Sequence, residues 1–158
     1  MLYTDLTRKA LNFAYDAHHG QGQNDKSGVP YIFHPYHVAE SLGNDATEEE
    51  IAVALLHDVV EDTDYTFEDL REAGFPDSVI EALVVLTHDE EKKKSAIDPE
   101  AEYLDYVREI KKNPIARKVK IQDLKHNMDV SRLISMYKDD ELRLRKYEKA
   151  LAILTEEE

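Results

Sequence analysis

The residues best suited to chemistry follow a single apolar run. From Ile51 the sequence is almost continuously apolar, and it then places four ionisable residues within six positions: His57, Asp58, Glu61 and Asp62. A helix that is apolar on every side is buried, and an uncompensated carboxylate there costs several kcal/mol or loses its charge. A bound metal ion is the simplest compensation for His57 and Asp58.

The two acids that follow extend the same pattern. Glu61 and Asp62 stand at i+4 from His57 and Asp58, so in one helix they lie a turn further along the same faces. A metal-binding pair with two carboxylates one turn beyond it is typical of a hydrolytic centre. The alternative, a helix C-terminus with exposed acids, accounts for Glu61 and Asp62 but leaves His57 and Asp58 unexplained.

A second polar set lies far along the chain. Lys120, Asp123 and Asn127 are spaced i, i+3 and i+7, which places them on one stripe of a helix. A half-buried Asp with an amide one turn on is typical of a metal ligand with a polar neighbour. An ion pair of Asp123 with Lys120 or Lys125 is the alternative explanation.

His34, before Pro35, completes a candidate ligand set. With His57, Asp58 and Asp123 it offers two imidazoles and two carboxylates. Such a sulfur-free set favours one divalent ion, Mn²⁺ first, with Fe²⁺ and Zn²⁺ as alternatives, over the purely oxygen-seeking Mg²⁺. Four protein ligands leave one or two octahedral positions for water and substrate, so the predicted site is catalytic rather than structural.

The elements that must position these residues are predicted to be helices throughout. The chain has 158 residues with only five Gly and five Pro, and it shows no alternating β-branched runs. Its length predicts a single domain over residues 1–158. The fold expected from these patterns is an all-α bundle of about eight helices around one buried central helix.

Local signals set several boundaries. Pro35 suits the first position of a helix, which predicts an extended backbone for His34 before it. The polar, lysine-rich run from residue 89 to 96 is predicted to be a loop, and an amphipathic helix is expected over about residues 139–154. Three helix starts carry capping signals: Thr47 with Glu50, Thr66 with Asp69, and Asp98 before Pro99. Asn113-Pro114 is predicted to end one helix and begin the next.

Composition argues against several functional classes. A net charge of −14 argues against a nucleic-acid partner, but a metal and a few lysines can still attract a small anionic substrate. With no Cys, neither a disulfide nor a thiolate metal site can form. No signal pattern and no apolar run of about 20 residues is present, so no membrane association is expected and the cytoplasm is the expected compartment. The sequence does not indicate an oligomeric state.

These residues resemble a known family. His34, the doublet His57-Asp58 and the distant Asp123 reproduce the H…HD…D pattern of the HD-domain metal phosphohydrolases. Three longer segments, residues 30–35, 57–63 and 119–128, resemble the hydrolase domain of RelA/SpoT proteins and the single-domain alarmone hydrolases. The resemblance covers about residues 5–133.

The resemblance implies an all-α, Mn²⁺-binding enzyme that removes the 3′-pyrophosphate from guanosine 3′,5′-bis(diphosphate), ppGpp, with water activated at the metal. It makes Glu61 and Asp62 the acids that orient or activate this water and help to protonate the leaving oxygen. It also implies substrate contacts from Asn127 and from Lys26 and Ser27 in a polar loop.

Lys120 is expected near a phosphate on separate grounds. It shares the stripe of Asp123 and lies in a basic stretch, residues 108–125, of an otherwise acidic chain.

Two positions depart from the family pattern. The family usually has Arg-Lys in the loop, where this chain has Asp25-Lys26, and often a hydroxyl residue three positions after the Asn, where this chain has Val130. Both positions touch the nucleotide in the family, so the metal chemistry is better supported than the substrate. The alternatives are an HD-type nucleotidase or other phosphoesterase, and a non-catalytic metal- or nucleotide-sensing module, against which Glu61 and Asp62 argue.

Overall fold

A computed structural model of the protein describes residues 1–20, 24, 28–132 and 138–156. Within these ranges the structure is helical, with no strand beyond an isolated bridge between Asn24 and Pro30. The all-α prediction is confirmed. The helices are α1 Asp5–Gly20, α2 Phe33–Ser41, α3 Glu48–Leu56, α4 Val59–Asp62, α5 Phe67–Glu72, α6 Asp77–Leu86, α7 Glu90–Ser95, α8 Pro99–Lys111, α9 Pro114–Asn127 and α10 Lys138–Thr155.

The centre of the fold is α3. Every residue from Ile51 to Leu56 is at most 1% exposed, because α1, α2, α6 and α9 all pack against this helix. A helix so enclosed must be apolar on all faces, as the sequence predicted. The prediction that the helix continues unbroken to Asp62 is wrong: the chain turns at His57 and Asp58, whose φ is −105°, before α4 begins.

The start of α2 also differs from its prediction. The helix begins at Phe33, so His34 lies within its first turn and is not extended. The N–H groups of Phe33 and His34 already bond to the carbonyls of Pro30 and Tyr31, at 3.2 and 3.0 Å. Pro35 is tolerated as the third residue of this helix, because the N–H groups of the first helical turn have no intrahelical acceptor and none is lost.

The two predicted capping boxes form to different degrees. At Thr66 the box is complete: its hydroxyl accepts from the Asp69 N–H, and the Asp69 carboxylate accepts from the Thr66 N–H. At Thr47 the hydroxyl accepts from the Glu50 N–H at 3.2 Å, but the Glu50 carboxylate bonds to Lys118 at 3.0 Å. Tertiary pairing has replaced half of that box. The predicted cap at Asp98 is present, and at the predicted boundary before Pro114 the Asn113 side chain caps α9.

Helix α7 was not predicted, and the loop prediction for residues 89–96 is wrong. The Asp89 carboxylate accepts from the N–H groups of Glu91 and Lys92, at 2.9 and 3.2 Å, and so caps the helix. Acids in the first turn and lysines in the last also suit the helix dipole. No residue of α7 is buried, so the helix has no apolar periodicity for the sequence to reveal.

The last helix, α10, packs against α8 and α9 along a narrow seam. Only Ala150 and Leu154 are fully buried, whereas Leu144 and Tyr147 on the same apolar side are half-buried. No helix in the described ranges combines the length and the apolar character needed to cross a bilayer. That residues 1–158 act as one domain stays a prediction.

Candidate metal centre and its cleft

Four side chains from three parts of the fold meet at one point, with ligand atoms all within 4.8 Å of one another: His34 of α2, His57 and Asp58 after α3, and Asp123 of α9. The closest approach is 2.8 Å, between His34 Nε2 and Asp123 Oδ1. His57 Nε2 lies 3.1 Å from Asp58 Oδ2 and 3.3 Å from Asp123 Oδ1. Asp58 is partly buried and the other three are buried.

The ring nitrogens of the two histidines are oriented for metal binding. His57 Nδ1 lies 2.6 Å from the Ala54 carbonyl oxygen, to which only an N–H can donate, so in the neutral ring Nε2 carries the lone pair. His34 Nδ1 lies 2.7 Å from His126 Nδ1, so its Nε2 also faces the carboxylates. Fixing the distal nitrogen in this way is how proteins orient metal-binding histidines. The donor set therefore fits a divalent ion.

The two carboxylates are held by further polar groups. Tyr31 donates a short hydrogen bond to Asp58 Oδ2. Lys120 bonds to Asp123 Oδ2 at 2.8 Å, and Asn127 Nδ2 donates to Oδ1 at 3.0 Å. Hence the predicted ion pair between Lys120 and Asp123 is present, yet it engages one oxygen and leaves the other facing His34 and His57.

Electrostatics show that the cluster requires positive charge. Burial alone would raise the pKa of Asp123, but Lys120 and the hydrogen bonds from His34 and His57 hold it well below its usual range. Burial alone would likewise lower the pKa of His57, but Asp58 and Asp123 hold it well above its usual value. A proton on His57 or a divalent ion can each supply the charge that two buried carboxylates need.

Glu61 and Asp62 lie one turn beyond the cluster and line the cleft beside it, where each is buried on the cleft side and still exposed to solvent. Glu61 Oε1 accepts from the His88 backbone N–H at 2.6 Å. Burial and the Asp58 charge raise the pKa of Glu61, although this hydrogen bond opposes the shift. Burial, Asp58 and Glu61 raise the pKa of Asp62 to about 7, so this carboxyl can gain or lose a proton near neutral pH.

The cleft has a volume of about 300 Å³ and lies between α4, α8, α9 and α10. A neighbouring cavity of about 320 Å³ is lined by His34, Arg132 and Arg143, and both cavities share Tyr31, Asn127 and Tyr147. Together they reach the size range of small-molecule sites, roughly 300–1,000 Å³.

The structure places only some of the predicted substrate contacts at the cleft. Asn127 lines both cavities and Lys120 lines the cleft, although each already bonds to Asp123. Val130 lies in a short 3₁₀ helix, Val130–Arg132, and is 51% exposed. The predicted contacts Lys26 and Ser27, and the neighbouring Asp25, lie outside the described residues. The substrate-contact assignments stay predictions.

Sequence reasoning missed two sets of residues. His126 is not among the predicted site residues, although its place three residues after Asp123 could have suggested contact with the cluster. It bonds to His34, and His37 packs on it with ring centroids 3.9 Å apart. Lys146 and Tyr147 line the cleft from α10, and no local signal could place that helix beside the cluster.

Comparison with known proteins identifies the family. The sequence model of the HD domain matches residues 10–125. Guanosine-3′,5′-bis(diphosphate) 3′-pyrophosphohydrolase MESH1 of Danio rerio is 39% identical over 95 residues, 58% of this chain and 52% of that protein. A 3′-pyrophosphohydrolase of the same name from Vibrio cholerae is 48% identical over 80 residues, 50% of this chain and 11% of that protein. The chain thus spans about half of MESH1 and much less of the larger relative.

A solved structure of similar fold is that of a metazoan ortholog of SpoT that hydrolyses ppGpp. Its TM-score is 0.78 with 24% sequence identity, and the match covers 98% of this chain and 88% of that one. The fold, the match over residues 10–125 and the grouping of two histidines with two aspartates agree with one another. The chain belongs to the HD-domain family.

Proposed function

We propose that this protein is a metal-dependent phosphohydrolase that removes pyrophosphate from the 3′ position of guanosine 3′,5′-bis(diphosphate). The observation that carries the proposal is the cluster of His34, His57, Asp58 and Asp123 at the wall of a cleft that also holds the acids Glu61 and Asp62 and several lysines. The names of the curated relatives support the choice of substrate.

The metal would be held by the Nε2 atoms of His34 and His57 and by one oxygen each of Asp58 and Asp123. Two imidazoles and two carboxylates without sulfur favour Mn²⁺, with Fe²⁺ and Zn²⁺ as alternatives. Such an ion polarises a phosphoryl oxygen and lowers the pKa of water. Lys120 and Tyr31 keep the two carboxylates oriented and ionised around it.

The two acids would move the protons. Hydrolysis forms a bond between water oxygen and the phosphorus next to the ribose, and it breaks the bond from that phosphorus to the ribose 3′-oxygen. Glu61, held by the His88 N–H, accepts a proton from the attacking water. Asp62, with a pKa raised to about 7, gives a proton to the leaving 3′-oxygen. The products are guanosine 5′-diphosphate and pyrophosphate.

A panel of nucleotides tests this proposal. Mn²⁺-loaded protein is incubated with ppGpp, GTP and guanosine 3′- and 5′-monophosphates, and the released pyrophosphate and orthophosphate are measured separately. The proposal expects pyrophosphate from ppGpp only and no release after chelation. Orthophosphate from a monophosphate, without turnover of ppGpp, would make the protein a nucleotidase. No release from any nucleotide would favour a sensing module.

A further inference from the structure

Two of the three lysines that line the cleft, Lys93 and Lys146, make no ion pair within the described ranges, and Lys146 lies the deeper of the two in aromatic contacts. In a chain of net charge −14, carboxylates are abundant, and Lys120 and Lys149 pair with Asp123 and Glu100. Lys146 on α10 lines the same cleft as Asp58 and Asp123. Among the described residues it makes no ion pair, and its ammonium lies over two aromatic rings.

Two aromatic rings and three positive groups outweigh the one carboxylate, Glu100, that acts on Lys146. Its Nζ lies 4.5 Å from the ring centre of Tyr103 and 5.4 Å from that of Tyr147. Burial lowers the pKa of this half-buried ammonium. Arg143, Lys93 and Lys120 lower it further, and the Glu100 carboxylate opposes this shift without pairing with Lys146. An ammonium that is partly removed from water and has no ion pair with a carboxylate favours the binding of an anion.

Tyr103 adds a second unsatisfied group to the same wall. The residue is 8% exposed, and its hydroxyl has no hydrogen-bond partner among the described residues. Buried hydroxyls are usually hydrogen-bonded, because leaving one without a partner costs free energy. Since Tyr103 lines the cleft, a ligand there can supply the missing partner.

We propose that Lys146 and Tyr103 form an anion subsite for a substrate phosphate group other than the one under attack. This inference rests on the proposed function, in which the nucleotide carries a second diphosphate at its 5′ position. An ammonium suits a phosphate group as a compact point charge. The subsite therefore selects nucleotides with two separate phosphate groups over those with one.

Binding measurements test the subsite without turnover. Calorimetry is done on Mn²⁺-loaded proteins that carry Glu61→Gln, with ppGpp and guanosine 3′-monophosphate as ligands. Loss of one charged hydrogen bond in Lys146→Met should weaken ppGpp binding by about ten- to a hundredfold. Binding of the monophosphate should change by less than about twofold, because only the metal centre holds its phosphate. Lys146→Arg, which keeps the charge, should restore most of the affinity for ppGpp.

Lys149→Met is the matched control. Lys149 lies on the same helix, one turn from Lys146, but pairs with Glu100 outside the cleft. It should leave both affinities unchanged. Equal ppGpp affinities in the two methionine variants, or equal loss of both ligands in Lys146→Met, would overturn the subsite.

Tyr103→Phe supplies an independent readout. Removing a hydroxyl without a protein partner should not lower the melting temperature, yet should weaken ppGpp binding by about two- to tenfold. A lowered melting temperature with unchanged binding would contradict the proposal.

Turnover by protein with Glu61 intact separates this inference from the proposed function. Selective loss of ppGpp binding in Lys146→Met, without hydrolysis of ppGpp by the unmodified protein, would support the subsite and refute the function. Hydrolysis of ppGpp with the same KM in both proteins would refute the subsite alone. No binding of ppGpp to the parent protein would refute both.

Discussion

His34 and His57 each have one ring nitrogen engaged by the protein and the other turned toward the two carboxylates. For His57 the engaging group is the Ala54 carbonyl, a common arrangement. For His34 it is another imidazole, that of His126. Burial and the positive charge of Arg132 lower the pKa of His126 to about 4, so it is neutral and can accept a hydrogen bond. The orientation of a proposed ligand thus depends on a residue outside the H…HD…D pattern.

Two substitutions at His126 separate its hydrogen bond from its bulk. In His126→Asn the amide oxygen takes nearly the position of Nδ1 and can accept from His34, whereas in His126→Leu no acceptor remains. Losing such an outer contact typically costs about 10- to 100-fold in metal affinity. Mn²⁺ titration by calorimetry should therefore show weaker Mn²⁺ binding in His126→Leu and nearly normal Mn²⁺ binding in His126→Asn. Equal affinities in the two variants would mean that packing alone accounts for His126.

The proposed role of Glu61 has a distinct signature. Glu61→Gln keeps the oxygen that accepts from His88 but can no longer take up a proton. Turnover of ppGpp should fall by about 10²- to 10⁴-fold while Mn²⁺ affinity stays the same. Parallel measurement of kcat and of bound Mn²⁺ tests whether Glu61 acts in proton transfer alone. Loss of the ion together with activity would instead make Glu61 a ligand or a residue needed for folding.

At the scale of elements, the sequence predicted what depends on neighbouring residues. The helix starts at Thr66, Asp98 and Asn113 each use a side chain and an N–H three residues away, and all three hydrogen bonds form. The Thr47 box failed in part because Glu50 found a partner 68 residues away. Helix α7 was missed for a related reason, since a fully exposed helix has no apolar face to predict it.

The completeness of the Thr66 box can be measured. Thr66→Ala removes the acceptor for the Asp69 N–H at the start of α5, and it should lower the free energy of unfolding by about 1 kcal/mol. Thr66→Ser, which keeps a hydroxyl in place, should lower the free energy of unfolding by only a small part of that amount. Urea denaturation of the metal-loaded protein measures both. A cost in Thr66→Ser as large as that in Thr66→Ala would show that the methyl group, and not the cap, stabilises α5.

At the scale of the whole molecule, the site is assembled from distant parts of the chain around α3. His34 and His57 contact Asp123 across 89 and 66 residues of sequence. The residue types of this cluster could be predicted, because the H…HD…D pattern survives in linear order. The spacing of His126 from Asp123 could have indicated a place near the cluster, but its contact with His34 depends on which faces of α2 and α9 meet. The position of Lys146 had no local signal, because it depends on how α10 packs against α8 and α9.

A metal held between three elements must stabilise their arrangement as well as serve the chemistry. An ion that binds only the folded chain adds RT ln(1 + [L]/Kd) to the free energy of unfolding, about 2.7 kcal/mol at a free concentration 100 times Kd. Urea unfolding in excess Mn²⁺ should therefore show that gain over chelator-treated protein. In Asp58→Ala, with only two imidazoles and one carboxylate left, the gain should vanish. Asp64→Ala removes an exposed acid from the turn after α4 and should keep the full gain, as a control for net charge. If Mn²⁺ stabilised Asp58→Ala as much as the unmodified protein, the ion would bind elsewhere. Only an ion held by α2, α9 and the turn at residue 58 makes the free energy of unfolding depend on the Asp58 carboxylate.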